Sequence, residues 1–320
     1  MRLFSSRLLL KGNPKQWDFP KQNINLSTMT CTDLFHDGTQ FVALGYKYNE
    51  DINRNIIGTS TSSDGNTWSE PYFDKDVNAS VGNAYNCIAY NGTYYCSITK
   101  TRTNGNRIAT GTSLNSLEAS LIFDFRKDVV SLCADSSNKF VSISTYGYIT
   151  KSDNTGSSWG ESTIEQGLQN HTWNKIRYNK VRNTISQNEF VAAGDGVIAI
   201  KNSSATTWQT NNSDNINWQA MDCVDIYLTV GAKLEITVDY YFFSSNGYIG
   251  KKSKHITMPD NTVTVMPLVI QNLPYLHLNL GNDKWVGAAN NGIVQVILSK
   301  NGYISTKEIW GIRNDIIKRS

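Results

Sequence analysis

The side chains that could do chemistry in this chain are scattered. Two carboxylates at a fixed separation would hydrolyse a glycosidic bond. Asp51 and Asp195 are the candidates, yet both sit in segments that read as turns, "NEDINRN" and "GDGV". The four histidines, His36, His171, His255 and His277, stand alone without ligand spacing. The five cysteines, Cys31, Cys87, Cys96, Cys133 and Cys223, form no CxxC pair. They read as small buried hydrophobes, with no disulfide demanded. No Gly-x-Ser-x-Gly elbow, phosphate loop or acid-repeated calcium loop is present. These patterns assign no catalytic residue, no metal and no cofactor. One segment stands out, "YKYNEDINRN" (Tyr46–Asn55), which gathers Tyr46, Tyr48, Asn53 and Arg54. Exposed rings beside amides suit sugars, which stack on aromatic faces and hydrogen-bond through hydroxyls. With Arg107 these are the candidate ligand-binding residues.

A scaffold must position them, and the sequence supplies one by repetition. The stretch "TSTSSDGNTW" (Thr59–Trp68) returns as "SDNTGSSW" (Ser152–Trp159) and, more worn, as "NSSATTW" (Asn202–Trp208). "SSNGYI" and "SKNGYI" keep a Ser, Asn-Gly and an aromatic. Upstream of each copy lies a strand-like run: "FVALG" at Phe41, "YYCSI" at Tyr94, "FVSIS" at Phe140, "FVAAG" at Phe190 and "WVGAA" at Trp285. A polar turn precedes each run, such as "HDGTQ" or "YNGTY", and a further apolar run precedes the turn. The unit reads strand, tight turn, strand, loop, strand, cassette, strand. Its period of about 45–50 residues is that of a β-propeller blade. The anchors count to six blades, with seven as the alternative. Helical periodicity is weak; only "IWGIRNDIIKR" near the C-terminus suits a turn or two of helix.

Bulk composition agrees. Hydrophobic residues make up 39% and charged residues 18%, enough for a packed core and against disorder. The net charge of +3 is interspersed, and "KKSK" (Lys251–Lys254) reads as a solvated edge or turn, so nucleic acid is not expected as a partner. No stretch approaches a membrane span, and the apolar run near Met1 is too short for a signal peptide.

The cassette resembles the Asp-box, or BNR, repeat of sialidases and other propellers, whose usual pattern is Ser/Thr-x-Asp-x-Gly-x-Thr-Trp. The first copy offers Ser62, Asp64, Gly65, Thr67 and Trp68. The second offers Ser152, Asn154, Gly156, Ser158 and Trp159, with Asn154 standing for the Asp, and the third keeps Trp208. The resemblance implies an all-β propeller of four-stranded antiparallel blades in which the cassette is scaffold. The Asp or Asn accepts bonds from its own turn, the Gly permits positive φ, and the Trp fills a crevice between blades. The cassette joins strands three and four, so it shares a face with the one-to-two turns. The opposite face carries the longer loops, Tyr46–Asn55, Thr99–Arg107 and Gly231–Glu235, and is expected to hold any ligand. A sialidase-like site would further need an arginine cluster, a Tyr activated by a carboxylate, and a separate acid. No Phe/Tyr-Arg-Ile-Pro motif occurs, and Arg126 in "FDFRKD" lacks the Ile-Pro.

The expected organisation is residues 1–29 as a closing strand and attachment segment, 30–310 as propeller, and 311–320 as tail. "KGNPKQW" (Lys11–Trp17) resembles the end of a cassette and is expected to supply the missing outer strand of the last blade. Degenerate blades and an Asn-, Ile-, Lys- and Tyr-rich chain resemble the tail, fibre and spike propellers of tailed bacteriophages. That resemblance implies a non-enzymatic virion component whose partners are other virion proteins or a host-surface glycan, oligomeric only within a larger assembly. The alternatives are a sialidase-like glycoside hydrolase and an intracellular protein-docking propeller, the latter disfavoured because the combined signature of Gly-His with Trp-Asp is absent.

Overall fold

The apolar runs that follow a polar turn at Phe41, Tyr94, Phe140 and Phe190 fall on second strands of antiparallel sheets and are largely buried on both faces. The run "WVGAA" at Trp285, read from the sequence as the same anchor, is instead the first strand of its blade. The computed structural model describes residues 17–79, 84–99, 105–125, 127–179, 189–202, 204–230, 233–244, 248–258, 262–265, 269–272 and 284–309. After a short closing strand β1 (Lys21–Gln22), the first blade comprises β2 (Thr30–His36), β3 (Phe41–Asn49), β4 (Arg54–Ser62) and β5 (Tyr72–Ala79). The second has β6 (Tyr85–Tyr90), β7 (Tyr95–Thr99), β8 (Asn106–Gly111) and β9 (Glu118–Phe123). The third has β10 (Val129–Ala134), β11 (Phe140–Ser144), β12 (Tyr148–Lys151) and β13 (Thr163–Ile164). In "FVSIS" of β11 every residue is buried, because neighbouring blades cover both sides of the strand.

The fourth sheet departs from the repeat. It joins β14 (Trp173–Asn179), β15 (Glu189–Asn202), β16 (Gln209–Val230), β17 (Lys233–Ser244), β18 (Tyr248–Met258) and β19 (Thr262–Val265), with β20 (Val269–Asn272) also on β18. The last blade is β21 (Trp285–Asn290), β22 (Val294–Ser299) and β23 (Tyr303–Glu308), completed by β1. The described residues therefore form five blades, not the six or seven that the repeat count predicts. The reason lies in β16. Its first part pairs with β15 up to Asn217, and from Trp218 it pairs with β17. The segment expected to stand as its own blade is thereby joined to its predecessor through the unbroken strand β16, in one double-width sheet of seven strands.

The closing strand pairs antiparallel with β23, Lys21 opposite Ile304 and Gln22 opposite Tyr303, and the Asp18 amide donates to the Thr306 carbonyl. Trp17 is buried with Phe243, Trp285 and Ile297, its ring edge-on to Phe243 at 5.4 Å. Residues 1–16 and 310–320 lie outside the described residues, and with them most of the expected attachment ends and of the segment expected to form a turn or two of helix.

The core is divided among the crevices between blades. Leu26, Phe41, Trp68, Val296 and Leu298 fill the one between the last blade and the first. Phe125, Leu132, Phe140 and Trp159 fill that between the second and third. The first strands, which ring the axis, are bound to one another by a repeated device. Each of β2, β6, β10, β14 and β21, and β16 at Gln219, carries a bulge at its start. The bulge turns the extra side chain out of the ladder. Thr32 then donates to the Tyr85 carbonyl at 2.9 Å, Asn86 to that of Val130 at 3.0 Å, and Asn174 to that of Trp218 at 2.8 Å. Each bond latches one first strand to the next.

"KKSK" is no solvated turn. It lies in β18, where Lys254 is buried against Glu189 at 2.7 Å and Lys251 pairs with Asp239 at 2.7 Å. The width of the merged sheet supplies these internal acids, which the local sequence does not show.

Candidate functional site

The polar residues of the first strands meet at the axis. Asp33, in the middle of β2, is wholly buried. Its Oδ1 accepts from Lys175 Nζ at 2.9 Å, from Arg177 Nη2 at 3.2 Å and from the Leu34 amide at 2.9 Å; its Oδ2 accepts from the Ile88 amide at 3.2 Å. Arg177 also donates to the Leu34 carbonyl at 2.9 Å. One carboxylate thus ties together the first blade, the second blade and the double-width sheet. Burial pushes the Asp33 carboxyl up, but the charges of Lys175 and Arg177 and the bonds it accepts prevail and hold it below the usual carboxylate value.

A second carboxylate, Asp222 of β16, accepts from Asn290 and Gln295 of the last blade, both at 2.8 Å on Oδ2. No cation bonds to it directly among the described residues. Burial pushes Asp222 up to about 6, against the partial opposition of the two amides. Arg177, Asp222, Asn290, His36, Tyr90 and Tyr178 line a small axial cavity of about 200 Å³. It lies at the ends of the first strands that lead into the one-to-two turns.

Those turns are capped by their own side chains. The carboxylate of Asp37 accepts from the Thr39 and Gln40 amides, and the Asn91, Asp135 and Asn291 side chains do the same in their turns. Asn91 also donates to the Asn154 carbonyl at 2.6 Å, which sets a one-to-two turn beside a neighbouring cassette on one face.

In the first cassette Asp64 Oδ1 accepts from the Asn66 and Thr67 amides at 2.8 and 2.7 Å, and from Ser62 Oγ at 3.0 Å. Gly65 has φ 77°. Trp68 is buried and its Nε1 donates to the Gly65 carbonyl at 3.1 Å. In the second, Asp153 is the capping carboxylate and not Asn154: its Oδ1 accepts from the Thr155 and Ser157 amides at 3.0 and 3.2 Å. Ser152 Oγ accepts from the Phe140 amide at 2.9 Å, and Trp159 Nε1 donates to the Gly156 carbonyl at 2.9 Å. The loop is longer between acid and glycine, so the acid caps from further back while the Gly-to-Trp spacing stays three. Ser158 lends its carbonyl to the Asp153 amide. In the third copy Trp208 Nε1 donates to Glu165 at 2.8 Å.

The expected ligand residues divide. "YKYNEDINRN" is no open loop; it is the end of the long β3–β4 hairpin. Tyr48 bonds to Asn53 across its tip, and Arg54 is exposed at the start of β4. Tyr46 and Tyr48 line a cleft of about 530 Å³ with Gln22, Thr28, Asn301 and Tyr303, at the seam where the first blade meets the last. Arg107 is on β8 of the second blade and is not among the residues of that cleft. Residues 100–104 and 231–232, part of the other two predicted loops, and Arg126 lie outside the described residues.

The arginines do not converge among the described residues. Arg177 alone of Arg54, Arg107 and Arg177 lines the axial cavity. A Tyr–carboxylate pair does exist, Tyr240 with Glu189, but both are buried and Glu189 is paired with Lys254. Burial, and then the charge of Glu189, push the Tyr240 hydroxyl far up. One sequence signal does mark the axial cluster: "TCTDLFH" and "WNKIRYN" each place a charge inside an apolar strand, with opposite signs.

Solved structures share this architecture. The structure of YCF48 bound to D1 peptide superposes with a TM-score of 0.52 at 12% identity, over 93% of this chain and 98% of that one. NanB plus Optactamide gives 0.54 at 13%, over 93% and 70%. A catalytically inactive virginiamycin B lyase from Staphylococcus aureus with Quinupristin gives 0.51 at 10%, over 92% and 100%. The chain is a β-propeller. Identities this low carry the fold alone, and these propellers include enzymes and a peptide-bound protein. No family model and no curated protein matches the chain. No helix among the described residues is long and apolar enough to cross a membrane.

Proposed function

We propose that this propeller is a recognition part without catalytic chemistry, a structural and adhesive component of a tailed-phage virion that binds a host-surface glycan or another virion protein. The observation that carries the non-catalytic reading is the pairing of Asp33 with Lys175 and Arg177. An arginine serving a substrate carboxylate, or an acid serving a leaving group, needs free hydrogen-bonding capacity at the reacting atom. Here the axial cations are spent on a buried acid, and Asp222 is held by amides. The virion setting rests on composition and on the worn repeats, which we read as Asp-box turns serving as scaffold. Incubation with an array of sialylated and neutral glycans tests the reading. Binding without turnover supports it, and turnover lost in Arg54→Ala would restore the hydrolase and place its site on the β3–β4 side.

A further inference from the structure

We infer that the cleft at the ring seam is the ligand site, and that it takes a neutral, hydroxyl-rich pyranoside. This rests on the recognition reading above. The cleft's volume of about 530 Å³ lies in the range of roughly 300–1,000 Å³ common for small-ligand sites. Its lining has the chemistry of sugar recognition. Tyr46 and Tyr48 are two apart on β3 and so share a face, and Tyr303 enters from β23. Rings in such a setting offer apolar faces to sugar C–H groups and hydroxyls to sugar oxygens. Gln22, Asn301 and Thr28 add both donors and acceptors. Among the described residues no carboxylate lines the cleft, and Lys47 is its one charged side chain. The Lys47 ammonium stands 5.8 Å from the centre of the Phe73 ring. An anionic sugar would find no arginine fork there, and a cation no acid.

The cleft is also where the ring closes. Gln22 Nε2 donates to the Asn301 carbonyl at 3.3 Å, the Asn23 amide donates to that of Gly302 at 2.9 Å, and the Cys31 amide to that of Lys300 at 2.8 Å. A sugar bridging Tyr48 to Asn301 and Gln22 touches the closing strand, the first blade and the last blade at once. Binding to the closed ring alone therefore stabilises the closure.

The test is saturation-transfer NMR on the full chain with methyl glycosides of glucose, galactose, mannose, N-acetylglucosamine and sialic acid. Thermal unfolding is followed with the same sugars. Transfer to at least one neutral glycoside is expected, with a raised unfolding midpoint. Tyr48→Ala and Tyr46→Ala should each weaken that binding about tenfold. Tyr146→Ala, an exposed tyrosine of the third blade, should leave it unchanged. Thermal midpoints without sugar confirm that the variants fold. Neutral-sugar binding that survives both cleft variants would overturn the cleft while leaving the recognition reading intact. Transfer only to the sialoside would overturn the neutral class. No transfer to any glycoside would overturn both the cleft and the glycan part of the proposed function.

Discussion

Asp33 stands opposite two buried cations, so its removal has a definite consequence. Asp33→Asn leaves Lys175 and Arg177 facing each other without its counter-charge, and the cost of breaking such a buried cluster is about 3–5 kcal/mol. Chemical denaturation of the variant measures it. Asp222 yields a pH signature of the opposite sense. Its carboxyl is pushed up to about 6, above an unfolded value of about 3.9, so the folded state holds that proton more tightly. Stability should fall by on the order of 2–3 kcal/mol as pH rises from about 4 to above 6, then level off. Asp33, held low, contributes stability that is present above its unfolded value and is lost as pH falls through its folded value. Urea titrations across this range should show a maximum on the acid side, and Asp222→Asn should flatten the limb between about pH 4 and 6. An unchanged limb in the variant would mean that another group titrates there. The charge of Asp33 inside an apolar strand was a visible signal, but its cluster was not, and Asp222 gave no signal of a site. The partners of Asp33 lie 142 and 144 positions away, and only the ring brings them together.

At the scale of elements, the cassette turn is a lock on the crevice behind it. An added Cβ at Gly65 would stand 2.4 Å from Val296 Cγ2, at a φ of 77° that side chains resist. Gly65→Ala should cost about 1–3 kcal/mol, and Trp68→Ala, which empties the crevice between the last and first blades, about 3–5 kcal/mol. Equal melting temperatures for wild type and Trp68→Ala would refute the lock. The latches on the bulged strands are smaller: Asn174→Ala should cost about 1 kcal/mol for the bonds it makes to the next strand. The first two cassette turns and four of the second strands were legible because each needs a fixed local pattern, a Gly three residues before a Trp or an apolar run after a polar turn. The same pattern misplaced "WVGAA", which is a first strand. In the second copy the pattern points to Asn154 as the cap, one residue past the true one, Asp153. Either side chain can cap a turn, and only the bonds decide which does.

At the scale of the whole molecule, closure depends on the segment from Trp17 to Gln22. Trp17→Ala should remove about 3–5 kcal/mol by opening the crevice shared by Phe243, Trp285 and Ile297. The ring-like fold was readable from the period of the repeat, because a sheet that must bury both faces repeats its pattern blade by blade. The blade count was not. A strand that runs through from one unit into the next, as β16 does, leaves each unit's apolar pattern intact while joining the two units into one sheet. The seam cleft was half legible. Tyr46 and Tyr48 are evident as aromatics in a polar segment, but Gln22, Asn301 and Tyr303 join them only when the ends of the chain meet. The most direct test of recognition without catalysis is to incubate the protein with sialylated and neutral oligosaccharides and read the recovered sugars by mass spectrometry. Intact sugars, with binding shown in parallel on the same samples, are the predicted result. Shortened sugars whose release is abolished by Arg177→Ala in a folded variant would contradict it.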